Sequence, residues 1–226
     1  MKKIALISLL ICSATIGLSG CSKVGNTNEV SDSANSNVTE SETEISIPED
    51  EIPTERVPDI QSADEFEYEI IDGSATITGY TGNSTEIDVP AELAGVAVTK
   101  IGTYAFEAEY DVTNITLPDT ITLIAEGAFM DCSSLESINI PETVTGIDRG
   151  AFVSCTSLAE LTIPLSVEYI REEAFTACES MTSLNIENPD LIYENWGLEE
   201  LPALTISAPE DSAVAEWAES MGKLSE

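Results

Sequence analysis

The chain contains no histidine. That excludes Ser-His-Asp and Cys-His catalysis, histidine-ligated zinc and HExxH peptidase chemistry, each of which needs an imidazole. Basic residues are scarce: 8 lysines and arginines stand against 42 acids, for a net charge of −34. Nucleic-acid phosphates and anionic lipid headgroups both call for the missing cations, so neither is an expected partner. No D-x-D-x-D-G string occurs among the acids, which removes the usual loop for calcium. The one N-terminal apolar run, Ile4 to Leu18, is too short and too poorly flanked for a transmembrane helix.

What is present begins at that same end. Lys2 and Lys3 form a positive n-region, the apolar run follows, and "LSGC" (Leu18, Ser19, Gly20, Cys21) closes it. This string resembles the lipobox of bacterial lipoproteins. The resemblance implies a signal peptide over residues 1–20, cleavage before Cys21 and acylation of its thiol. Two or more acyl chains hold a protein on a membrane stably, since each buried CH₂ contributes about 0.8 kcal/mol. The expected location is therefore the extracytoplasmic face of a bacterial membrane. Losing residues 1–20 removes two lysines and no acid, which takes the net charge from −34 to −36. Residues 21–65 then read as a disordered acidic tether. From 22 to 65 there are twelve acids, two bases and no aromatic residue, with prolines at 48, 53 and 58. Such a segment cannot bury enough apolar surface to offset the entropy of ordering it.

The remainder repeats. "GAFMDCSSLESINIP" at 127–141 returns as "GAFVSCTSLAELTIP" at 150–164. Ala105-Phe106, Ala128-Phe129, Ala151-Phe152 and Ala174-Phe175 each follow the last by 23 residues. Ile101, Ile124, Ile147 and Ile170 keep the same beat, as do Val98, Ile121, Val144 and Val167. So do Ile115, Ile138, Leu161 and Leu184 with Leu117, Ile140, Ile163 and Ile186, while Pro118, Pro141 and Pro164 close three of these stretches. A fixed period between about 20 and 29 residues with L-x-x-L-x-L strings predicts a leucine-rich-type solenoid. In "LESINIP" the alternation of Ile138 and Ile140 predicts a short strand with both side chains inward. Proline lacks an N–H and ends the strand at a corner. The Ala-Phe stretch is expected to form a helical turn or short helix. Stacking at roughly 4.8 Å buries each coil against the next.

These residues resemble the BspA-type leucine-rich repeat family, with a unit of Ile, Ala-Phe, Cys and Leu-x-x-Leu-x-Ile-Pro matched over 98–186. The resemblance implies a bacterial surface protein linked to adhesion or to binding of other proteins. The first unit departs from the pattern, with Glu109 in place of cysteine and Val112 in place of leucine. Upstream, 66–97 is expected to be an N-terminal cap. Phe66, Tyr68 and Ile70 alternate before an Asp72-Gly73 turn, Ala75 and Ile77 follow it, and "EIDVP" (86–90) forms a degenerate unit. The repeats span 98–190. Residues 191–226 are expected to hold a shortened coil, with Trp196 in the phenylalanine position and Leu201, Leu204 and Ile206 as its strand. A closing helix would then present Val214, Trp217, Ala218 and Met221 on one face.

Cys132, Cys155 and Cys178 occupy one column. They are either free, buried and structural or, at coil spacing, partly bridged by a disulfide. No base is present to activate them, and three thiols without a fourth ligand make a poor zinc site. Tyr169, Tyr193, Trp196 and Trp217 either stack on sugars or pack in core and cap. The reading excludes an enzyme and calls for no cofactor and no metal. Outward residues of the strands form a candidate ligand face: Asn114, Thr116, Ser137, Asn139, Glu160, Thr162, Ser183 and Asn185. Small hydroxyls and amides there suit hydrogen bonding to an extended protein segment or glycan. The function expected is a monomeric, lipid-anchored interaction module, and the competing reading is a spacer lipoprotein with no dedicated ligand.

Overall fold

The computed structural model describes residues 61–225. The stretches read as signal peptide, as lipobox with Cys21 and, for the most part, as acidic tether lie outside the described residues. In chain order the strands are β1 (Gln61–Ala63), β2 (Phe66–Ile71), β3 (Ser74–Tyr80), β4 (Glu86–Asp88) and β5 (Glu92–Leu93). They continue with β6 (Val96–Ile101), β7 (Asn114–Thr116), β8 (Leu123–Ile124), β9 (Ser137–Ile138) and β10 (Gly146–Ile147). Last come β11 (Glu160–Ile163), β12 (Tyr169–Ile170), β13 (Ser183–Ile186), β14 (Ile192–Tyr193), β15 (Thr205–Ser207) and the helix α1 (Ala213–Ser220).

The 23-residue beat becomes parallel pairing of like with like. Ile101 lies opposite Ile124, Ile124 opposite Ile147, and Ile147 opposite Ile170. This ladder belongs to a nine-stranded sheet ordered β1-β2-β3-β6-β8-β10-β12-β14, with β5 beside β6. The second strand of each coil forms two shorter sheets, β4-β7-β9 and β11-β13-β15. Each proline opens a corner turn: the N–H groups of Ile121, Val144 and Val167 donate to the carbonyls of Pro118, Pro141 and Pro164 at 3.0–3.1 Å. Side chains from both strand sets fill the space between, and Val98, Ile121, Val144 and Val167 are fully buried.

The Ala-Phe stretches are turns, not helices. Their N–H groups alternate between two destinations. Ala128, Met130 and Cys132 donate back within the coil to Ala125, Gly127 and Phe129. Gly127, Phe129 and Asp131 donate to Arg149, Ala151 and Val153 of the next coil. The alternation requires left-handed backbone at two positions per coil, with φ between 56° and 62° at Tyr104, Gly127, Gly150 and Glu173 and again at Ala108, Asp131, Ser154 and Ala177. A continuous helix would spend every N–H internally and leave the coils unjoined. Glycine at 127 answers a second demand, because a Cβ there would stand 2.2 Å from the Tyr104 ring.

The phenylalanines stack. Ring centroids lie 5.4, 5.3 and 5.6 Å apart along Phe106, Phe129, Phe152 and Phe175, and Tyr80 and Phe66 extend the column at 5.8 and 5.5 Å. Beside it run the cysteines. All three are free and buried, and each Sγ–H donates to a phenylalanine carbonyl of the preceding coil: Cys132 to Phe106, Cys155 to Phe129, Cys178 to Phe152, at 3.1–3.2 Å. A small apolar group with one weak donor fits this slot. The unit with Glu109 has no repeat of its own kind before it, so no phenylalanine carbonyl awaits a thiol there.

The caps differ from expectation in detail. The hairpin β2–β3 forms about Asp72 and Gly73, both at positive φ, and its β3 pairs parallel with β6. Strand β1 pairs antiparallel with β2, so ordered structure reaches Gln61, inside the stretch read as tether. Ile70 is 39% exposed near the hairpin tip and is not part of the core. "EIDVP" does supply a strand: β4 pairs with β7. At the other end Trp196 does not take the phenylalanine slot. Its carbonyl accepts from Phe175 N–H, as the alanines of earlier coils accept from the preceding phenylalanine. Leu198 fills the vacated place: Leu201 N–H donates to its carbonyl as Cys178 N–H does to that of Phe175. The coil has been re-spaced by one residue, and the strand register shifts accordingly, with Leu184 opposite Ile206. In α1, capped by Ser212, the residues Val214, Ala215 and Ala218 are buried, but Met221 lies past the last turn and is 41% exposed.

Candidate ligand-binding face

The outward residues named from the alternation sit where expected. Asn114 and Thr116 lie on β7, Ser137 on β9 with Asn139 just beyond it, Glu160 and Thr162 on β11, and Ser183 and Asn185 on β13. Their partners across the ladders are also as expected: Asn114 opposite Ser137, Glu160 opposite Ser183, Thr162 opposite Asn185. The face is longer than four coils. Glu86 and Asp88 extend it before Asn114 and Thr116, and Thr205 and Ser207 extend it after Ser183 and Asn185. The period hid both ends, because the 28-residue first interval and the re-spaced last coil break the beat.

One residue of the eight is occupied. The Asn139 amide clasps the preceding coil: its Nδ2–H donates to the Leu117 carbonyl at 2.9 Å, and its Oδ1 accepts from Leu117 N–H at 2.7 Å. The side chain stands in for strand pairing just where β9 stops, and it is not a free ligand contact.

Between β9 and β11 the ladder breaks, and the two belong to separate sheets. The corner leading to β11 shows why. Thr156 Oγ1 and Ser157 Oγ both donate to the Ser133 carbonyl, at 3.0 and 2.7 Å. At the next junction the equivalent link is a backbone bond, Ser180 N–H to the Thr156 carbonyl. Side-chain hydroxyls thus take the place of a backbone bond at this junction, and Asn139 ties β9 to the preceding coil. An open depression of about 910 Å³ lies over β9, β11 and β13, with the apolar Ile138, Ile140 and Leu161 beneath it, Ser137, Asn139, Thr162, Ser183 and Asn185 along it, and Glu136, Glu142 and Glu160 beside it. No lysine or arginine lines it.

The remaining candidates are structural. Burial pushes the Cys132 and Cys178 thiols up to about 12, and Cys155 higher still. A thiol held protonated is a poor nucleophile. Tyr193, Trp196 and Trp217 pack on one another, with centroids 4.5 Å apart for Tyr193–Trp196 and 5.3 Å for Trp196–Trp217. Tyr169 lies half-buried beneath the Arg171 guanidinium at 4.8 Å, and burial, then Asp148, raises its phenol. Across the molecule's other strand set, Arg149 and Arg171 pair with Glu173 and Glu194 at 2.9 and 2.7 Å, in exposed contacts of small energetic weight. Among the described residues no group of histidine, cysteine and acidic side chains is arranged to hold a metal ion, and no helix is long and apolar enough to cross a membrane.

A coiled core of short parallel strands, stacked phenylalanines and a polar strand face defines a leucine-rich-repeat solenoid. Residues 81–196 match six copies of the BspA-type leucine-rich repeat region, and the chain belongs to that family. Solved structures agree. A leucine-rich repeat protein of T. pallidum shares 25% identity at a TM-score of 0.61, covering 66% of this chain and 70% of that one. A leucine-rich repeat protein of Bacteroides capillosus shares 34% identity at 0.52, covering 57% of this chain and 99% of that one. A leucine-rich cell surface protein of Faecalibacterium prausnitzii shares 29% identity at 0.51, covering 70% of this chain and 56% of that one. A search of curated proteins returns no match.

Proposed function

We propose that this chain is a lipid-anchored interaction module on the extracytoplasmic face of a bacterial membrane, binding a protein or glycan through its polar strand face. The observation that carries the reading is the open polar depression over β9, β11 and β13, on the face that alternation alone nominates. A spacer would need only a uniformly polar, closed ladder. The F. prausnitzii relative, a cell surface protein by description, supports the location. So does the lipobox-like string at Leu18 to Cys21.

The test is capture of cell-surface and extracellular-matrix proteins and glycans by a soluble 22–226 fragment, repeated with a Ser137→Arg, Thr162→Arg variant. Both side chains are exposed beside the depression. Asn139 is left unchanged because an arginine there would also break the clasp on Leu117. Wild-type capture lost in the variant, at unchanged melting temperature, is the expected result. Equal capture by both proteins would refute the placement.

A further inference from the structure

The cysteine column fits the stack in one oxidation state. Cys132, Cys155 and Cys178 are each 0% exposed, and each donates its single S–H to the carbonyl of Phe106, Phe129 or Phe152 in the preceding coil. Phenylalanine rings of successive coils stand 5.3–5.6 Å apart. Parallel strands pair at about 4.8 Å, so equivalent Cβ atoms of neighbouring coils are held about 5 Å apart. A disulfide needs them at about 3.5–4.5 Å. Between Cys132 and Cys178, two coils apart, the separation is about 10 Å, past the roughly 7 Å Cα limit for any bridge.

Every oxidised form is therefore a misfit. A bridge between neighbours pinches two coils together, and a bridge between the outer pair cannot close. A mixed disulfide adds a second thiol compound to a sulfur that has no exposed surface, and overfilling a packed core is destabilising. Each form also removes an S–H donor and leaves a buried phenylalanine carbonyl unpaired. The unfolded chain has none of these restraints. Its cysteines are 23 residues apart, and doubling a loop lowers the closure probability only about threefold. Exchange needs a thiolate, and in the fold burial pushes Cys132 and Cys178 up to about 12.

We propose that the solenoid is redox-gated: its coils close only while Cys132, Cys155 and Cys178 are all thiols, and the closed stack then shields them from oxidation. The oxidant is a small disulfide such as oxidised glutathione. In the open chain one cysteine thiolate attacks it, forming a mixed disulfide and releasing one glutathione thiolate. A second cysteine thiolate attacks the mixed disulfide at the protein sulfur and expels the other glutathione. Two protein thiols thus lose two protons and two electrons, and one oxidised glutathione becomes two reduced ones. Disulfides form and persist outside the cytoplasm. At the extracytoplasmic location proposed above, coil closure must therefore outrun oxidation, whereas the gate itself does not depend on that location.

The experiment uses the full chain with Cys12→Ala and Cys21→Ala, so that the column holds its only thiols. Folded chain, and chain unfolded in guanidinium chloride, are each exposed to oxidised glutathione at about pH 8, where an ordinary thiol exchanges readily. Free thiols are counted by alkylation and intact mass. The folded chain should lose them at least about a hundredfold more slowly, because reaction waits on opening of the stack. Removing the denaturant should return cooperative melting to the reduced chain and not to the oxidised one, and dithiothreitol should then restore it to the latter. Three results would each overturn the proposal. They are thiol loss in the folded chain within about tenfold of the unfolded rate, an oxidised chain that melts within about 2 °C of the reduced one, and a reduced chain that does not refold.

Discussion

Replacing Phe152 with alanine should destabilise the solenoid more than the same truncation of Phe175, at the end of the phenylalanine column. Phe152 is fully buried, with Phe129 and Phe175 stacked on its two sides at 5.3 and 5.6 Å. A buried phenylalanine truncated to alanine costs about 3–5 kcal/mol. An aromatic pair contributes about 0.5–1.5 kcal/mol beyond area burial, and two such pairs place this site at the upper end of the range. In a domain of this size each kcal/mol moves the melting temperature by about 2–4 °C, so a drop of about 8–20 °C is expected. Differential scanning calorimetry on the full chain reads it directly. Phe175 has one ring partner of this column, Phe152, and its alanine variant should cost about one pair less, roughly 0.5–1.5 kcal/mol. Because each coil is stabilised only by its neighbours, the Phe152 variant weakens two interfaces at once and should also broaden the transition. A shift below about 2 °C, or a greater loss at Phe175 than at Phe152, would refute the stacking argument.

The Asn139 clasp should be worth measuring by Asn139→Ala, which strands the Leu117 N–H and carbonyl and should cost about 1–3 kcal/mol, against less than about 0.5 kcal/mol for Thr162→Ala. Equal melting temperatures for the two would show that the clasp carries no weight. The thiols predict a pH dependence. The folded state holds Cys132 and Cys178 up to about 12 from an ordinary 9.0, through burial, so the unfolded chain releases these protons first. The stability they support is complete below about pH 9 and is lost as pH rises toward 12, so Cys132→Ala with Cys178→Ala should flatten the alkaline decline in melting temperature. An unchanged decline would assign it to Cys155 or to the tyrosines instead. For the anchor, Cys21→Ala should move the protein out of the membrane fraction, and persistence there after an alkaline wash would count against acylation.

How much of this could be read from residues alone follows from what a period can carry. The columns at Ile101, Phe106, Ile115 and Val98 each repeat because every coil makes the same contacts with its neighbours, so the spacing contained the fold and the inward and outward sides. Of the helical turn or short helix expected at Ala-Phe the turn forms and the helix does not, for a reason the side chains do not show. The choice between an internal bond and a bond to the next coil is made by the backbone, through left-handed residues as unlike as Tyr104, Asp131 and Glu173. Trp196 was misplaced because a large aromatic suits the phenylalanine slot by volume, and only the hydrogen bonds reveal that one residue has been re-spaced.

The depression escaped for the opposite reason, since it is a defect in the repeat. Asn139 and Asn185 share a column and one side-chain type, yet the first clasps Leu117 while the second only lines the depression. Thr156 and Ser157 are ordinary solvent-facing residues until one sees that they take over the coil-to-coil link to Ser133. Four stacked phenylalanines on one side hold the coils at 5.3–5.6 Å. A solenoid has no pocket by construction, because each coil covers the next. What sets this junction apart is the trade of a backbone bond for side-chain bonds, and a periodic pattern averages that junction away.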